Sequence, residues 1–130
     1  MGRVDAAEAL ADLTEISAQI EAAVVASPEG AVAAATMPET AAVALAKAGS
    51  GLLREAGERA VGVEVRTGEA SVFAVRDGGH LVAAVAAAGA ASGLVLYDLR
   101  TCLRRLGEEP EKPRRKRAPR AKAKKTDDAA

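Results

Sequence analysis

The chain has 130 residues, which leaves room for one domain and little more. Hydrophobic types make up 49% of it, but 33 of those residues are alanine and only Phe73 and Tyr97 are aromatic, which excludes a bulky core. The formal net charge of zero excludes nothing by itself, because residues 1–109 hold 9 basic and 15 acidic residues and residues 110–130 hold 9 and 3.

Asp5 and Glu8 have the spacing of a capping box, and Leu10, Leu13, Ile16 and Ile20 follow at intervals of three and four. This predicts a first helix over roughly 4–22. The stretch VVASPEGAVAAATM, Val24 to Met37, comes next. Ser27-Pro28-Glu29-Gly30 is turn chemistry, with proline presetting φ and glycine closing the turn, so strands are expected near 23–27 and 31–36. Thr36, Pro38 and Glu39 mark the start of a second helix running to about Glu58. It carries Val43, Leu45, Leu52 and Leu53 among alanines, and Gly49-Ser50-Gly51 in its middle. Each interior glycine costs about 1 kcal/mol relative to alanine, so the triplet reads either as a weak spot or as the close approach of another helix.

Three strands follow. Residues 60–67 alternate, with Val61, Val63 and Val65 inward and Glu64 and Arg66 outward; residues 70–76 carry Val72, Phe73 and Val75; residues 80–87 carry Leu81, Val82 and Val85. Gly68-Glu69 and Asp77-Gly78-Gly79 supply the turns. A last helix begins near Ala91 or Ser92, shows Val95, Leu99, Cys102 and Leu106 at helical spacing, and ends at Gly107. The fold class is therefore α+β, in the order α-β-β-α-β-β-β-α: a five-stranded antiparallel sheet with helices on its faces. The domain is expected over 1–107, with a disordered basic tail over 108–130.

Enzyme chemistry is thin in this sequence. Cys102 is the only cysteine and falls on an apolar stripe, where a core role is expected; alone, it forms no internal disulfide. His80 is the only histidine and opens a strand behind a turn. Gly49-Ser50-Gly51 lacks the third glycine and the leading strand of a dinucleotide fingerprint, and no phosphate loop is present. No cofactor, metal or small-molecule substrate is expected. Exposed arginines such as Arg54, Arg59 and Arg76 are candidates for an arginine finger, but nothing singles one out. The N-terminal MGRVDAAEAL lacks the apolar segment of a secretory signal, and LVAAVAAAGAASGLVL is too short and too interrupted by glycine to span a bilayer, so a cytoplasmic location is expected. The absence of Asn and Trp suggests a GC-rich bacterial coding bias.

The element order, with VVASPEGAVAAAT as the strand pair, VGVEVRTGEASVFAVRDGGHLVAAV as the meander and ASGLVLYDLRTCLRRL as the final helix, resembles the Roadblock/dynein light chain family, in its bacterial, small-GTPase-associated type. That resemblance covers roughly residues 4–106. It implies a non-catalytic homodimeric adaptor or regulator of a small Ras-like GTPase, with third strands paired edge to edge and second helices side by side. The pairing edge is then Val61, Val63, Glu64, Val65 and Arg66, and the helix seam Val43, Ala46, Gly49, Ser50 and Leu53. Independently, residues 60–67 hold no proline and no lysine, the residues that usually blunt an exposed edge, and Glu64 and Arg66 suit cross-dyad pairing or a solvated face. Lys47 and Arg54, seven apart on one side of the second helix, are the expected contacts to an acidic GTPase switch region, or a solvated face.

The tail carries Lys112, Arg114, Arg115, Lys116, Arg117, Arg120, Lys122, Lys124 and Lys125. Its prolines and alternating alanine and lysine build no core. It suits contact with nucleic-acid phosphates, with an anionic membrane or an acidic protein surface, or with the chain's own acidic body. The alternative to the adaptor is thus a nucleic-acid-associated protein whose folded body only dimerises it.

Overall fold

The structure is a computed structural model that describes residues 5–106. The expected order holds: α1 (Ala6–Ile16), β1 (Ile20–Ala26), β2 (Val32–Ala35), α2 (Glu39–Ala56), β3 (Gly62–Arg66), β4 (Ala70–Asp77), β5 (His80–Ala87) and α3 (Ser92–Leu106). One antiparallel sheet runs β2-β1-β5-β4-β3. The predicted tail lies outside the described residues.

The capping box forms as the sequence predicts. The Glu8 N–H donates to Asp5 Oδ1 at 2.8 Å, and the Asp5 N–H donates to Glu8 Oε1 at 3.4 Å. The first helix is shorter than expected. It stops at Ile16, where Ser17 turns extended, and Ile20 opens β1 instead of continuing the stripe. The four-residue spacing between the two isoleucines is a coincidence of a short turn: Ile16 is 63% exposed and Ile20 is buried. The Ser27–Gly30 turn closes as expected, with the Gly30 N–H donating to the Ser27 carbonyl at 2.9 Å and Gly30 at φ 97°.

The sheet separates two apolar layers. On one face, α1 and α3 cover Val25, Phe73, Val75 and Val82 with Leu10, Leu13, Val95 and Leu99. On the other, α2 lays Ala42, Ala46 and Leu53 on Val24, Ala74, Leu81 and Ala83. The residues Ala23–Ala26 are all buried because β1 is an interior strand covered on both sides. Alanine on both surfaces lets α2 sit very close to the sheet. A Cβ on Gly49 would stand 3.0 Å from Ala83 Cβ and 3.3 Å from Ala74 Cβ. Gly49 is therefore a close-approach glycine, and what it approaches is the chain's own sheet.

Two polar devices fix the elements around the sheet. The Arg76 guanidinium donates to the carbonyls of Gly57 (2.6 Å), Glu58 (3.0 Å) and Ala60 (2.8 Å), closing the carbonyl-rich end of α2. Arg105 pairs with Asp12 at 2.7 Å and ties α3 to α1. Among the described residues, no helix is long and apolar enough to cross a membrane.

Candidate functional site

The sheet order leaves β3 at one edge, and among the described residues only β4 pairs with it. The Thr67 N–H donates to the Ala70 carbonyl and the Val61 carbonyl accepts from the Arg76 N–H, each at 2.9 Å. Odd-numbered residues thus turn their backbone groups toward β4. By antiparallel alternation, Gly62, Glu64 and Arg66 present theirs outward, ready for another strand.

Side chains on the two faces of β3 differ in kind. Val63 packs against the α2 layer, and Val65 is 40% exposed on the same face. Beside Val65 runs a groove of about 510 Å³ between α2 and the β3–β4 surface. Leu52, Val72 and Gly51 line it, with Lys47, Arg54 and Glu55 on the helix side. A Cβ on Gly51 would meet nothing within 4 Å, so this glycine faces open space.

The expected site residues divide accordingly. Val63 and Val65 stand on the open edge as anticipated. Val61 precedes the strand, is 55% exposed, and lines a separate groove with Arg76, Arg100 and Leu103 on the α3 side. Ala46, Gly49, Ser50 and Leu53 are corrected: they are buried beneath α2, against the sheet and the β1–β2 turn, and leave no surface for a neighbouring helix. The Ser50 hydroxyl donates to the Pro28 carbonyl at 2.7 Å, fixing that turn to α2. Val43 is half-buried at the side of α2. The outward helix residues that sequence reasoning missed are Ala48, Gly51, Leu52 and Glu55. The adjacent pair Leu52-Leu53 carried a signal for this, since neighbours on a helix point about 100° apart and cannot both face the sheet.

Glu64 and Arg66, also on the β3 edge, have side-chain partners of their own. They pair with each other within the chain, and Ser92 Oγ donates to Glu64 Oε2 at 2.8 Å. Arg66 also donates to the carbonyls of Ala88 (3.2 Å) and Ala90 (3.1 Å). Their side chains tie β3 to the start of α3, while their backbone groups stay on the open edge. Lys47 and Arg54 are exposed and share the groove with Val65, so the two expected surfaces are one. Arg76, named above as an arginine-finger candidate, is committed to its three carbonyls.

Cys102 is buried, and burial pushes its thiol up to about 11; the nearby Arg105 charge lowers it and Asp12 raises it. It is a core residue and an unreactive one. His80 is half-buried opposite Asp77 in the hairpin. Among the described residues, no group of three or more His, Cys, Asp or Glu could hold a metal ion.

No protein-family model matches the sequence, and no curated protein matches it. Solved structures do match the fold. A Roadblock/LC7 domain from Streptomyces avermitilis is 19% identical at a TM-score of 0.66, over 72% of this chain and 88% of that one. The gliding protein MglB from Thermus thermophilus is 16% identical at 0.64, over 78% and 84%. MglB from Myxococcus xanthus is 10% identical at 0.59, over 78% and 87%. The chain therefore has the fold of the Roadblock/LC7 domains.

Proposed function

We propose that the protein is a cytoplasmic, non-catalytic adaptor that forms a homodimer through β3 and binds a small Ras-like GTPase. The observation that carries the dimer is the open β3 edge, with outward backbone groups at Gly62, Glu64 and Arg66 beside a groove that exposes Val65 and Leu52. A second copy adds its own β3 there and removes that apolar surface from water. Gly51 then allows two α2 helices to cross closely, and an antiparallel crossing centred on it sets Lys47 of one copy near Glu55 of the other. The GTPase partner rests on the Roadblock resemblance and on the basic pair Lys47 and Arg54, which stand at the rim of that seam and suit an acidic switch region.

Two measurements on the full chain test this. Sedimentation equilibrium should give a dimer, and Val65→Lys, which buries two like charges near the dyad, should weaken association at least about tenfold. Immobilised protein should retain a nucleotide-loaded small GTPase, and Arg54→Glu should reduce retention while sedimentation still gives a dimer. A monomer at high concentration sinks the dimer; dimers that retain no GTPase in either nucleotide state sink the adaptor.

A further inference from the structure

On the face of the sheet opposite α2, a groove of about 240 Å³ runs between α1 and α3. Asp12, Glu15, Asp98 and Arg105 are its charged lining, above apolar walls that include Leu13 and Ile16. Arg105 is engaged with Asp12 at 2.7 Å. Asp98 is different. It is only 8% exposed, and among the described residues its carboxylate has no hydrogen-bond or ion-pair partner. Its neighbours are committed elsewhere: the Thr101 hydroxyl donates to the Tyr97 carbonyl, and Arg104 donates to Thr101 Oγ1. The carboxylate oxygens keep a narrow contact with water, and a cation in the groove would give them a charge-assisted hydrogen bond that no described side chain supplies.

We propose that the groove is the docking site for the chain's own basic segment Lys112–Arg117, with an arginine or lysine head on Asp98 and Glu15 and its stem along Leu13 and Ile16. Charge complementarity and reach select this occupant. Residues 1–109 carry an excess of six acidic charges, and residues 110–130 an equal excess of basic ones. Asp98 lies eight residues before the end of α3 at Leu106, about 12 Å along the helix axis. The eight residues 107–114 span up to roughly 26 Å when extended, so Arg114 reaches Asp98 with slack. The connecting stretch holds Glu108, Glu109 and Glu111, which makes Lys112–Arg117 the first basic run able to enter. A tethered cation also competes at a high effective concentration against any free one. The groove and the β3 edge are on different parts of the fold, so this docking neither needs nor blocks the dimer.

The test uses the full chain. In a ¹H–¹⁵N spectrum, replacing Arg114, Arg115, Lys116 and Arg117 by Gln should move the amides of Glu15, Asp98 and Thr101, and high salt should move them the same way. These substitutions lie outside the described body, so its other resonances should stay in place. As a second variant, Asp98→Asn should let trypsin cut within 112–125 roughly tenfold faster at low salt, the loss of one hydrogen bond to a charged group. Unmoved groove amides in the Gln variant overturn the proposal, as does tryptic cleavage that ignores Asp98→Asn. If added duplex DNA shifts only resonances of residues 110–125 and the groove amides never respond to the Gln variant, the segment belongs to nucleic acid and the proposal is overturned.

Discussion

Gly49 and Gly51 sit two residues apart on α2 and meet opposite surroundings. Alanine in place of either gains about 1 kcal/mol of helix propensity. At Gly49 the added methyl meets two alanine Cβ atoms fixed on the sheet, at 3.0 and 3.3 Å, and neither can rotate away. Overpacking of about 1–3 kcal/mol exceeds the gain, so Gly49→Ala should lower the denaturation midpoint. At Gly51 the methyl enters open space. Gly51→Ala should leave the folded monomer as stable or more so, while weakening association if two α2 helices cross there; chemical denaturation and sedimentation read the two effects separately. Cys102 gives a pH prediction. Its folded pKa, about 11, is raised above the ordinary 9.0, so the folded state favours the neutral thiol. That stabilisation is complete below about pH 9 and is lost as the pH rises toward 11, by something on the order of 2 kcal/mol. Denaturant midpoints should fall across that window, and Cys102→Ala should flatten this part of the profile while leaving the contributions of other groups titrating there.

Elements were legible where one physical rule acted alone. The capping box placed the start of α1, and glycine-containing turns placed all three hairpins. The end of α1 was not legible, because Ile16 and Ile20 satisfy the helical period across a turn that the period cannot see. The buried side of α2 was equally hidden. With alanine nearly all round, hydrophobicity could not distinguish the face toward the sheet from the face toward the groove, and only the position of Gly49 against Ala83 and Ala74 decides it. Glu64 and Arg66 read as an outward face of β3. What the sequence could not place beside them is the start of α3, whose Ser92 bonds both side chains from 26 residues beyond Arg66. Arg76 is the same kind of case and carries a prediction. Its three bonds hold the segment between α2 and β3. Arg76→Ala should cost about 1–3 kcal/mol, and hydrogen exchange should speed up locally over 57–61 before anywhere else in the sheet.

At the scale of the whole molecule, the thin core and the open edge are one problem. Alanine-on-alanine packing brings α2 close to the sheet but removes little apolar area per residue, and Phe73 is the only aromatic side chain in the core. In the dimer proposed above, burying β3 and its adjoining groove against a second copy would add the stability that the thin core lacks. The consequence is measurable without knowing any partner. When unfolding is coupled to dissociation, the melting temperature depends on concentration. With an unfolding enthalpy near 0.7 kcal/mol per residue over two bodies of about 100 residues, each tenfold increase in protein should raise the melting temperature by about 3–4 °C. Val65→Lys should lower the melting temperature at a given concentration and flatten the slope wherever the variant dissociates before it melts, because it places like charges at the seam and leaves each monomer's buried residues untouched. A melting temperature that ignores concentration in the unmodified chain would mean that the thin core suffices alone and that the β3 edge serves something other than a second copy.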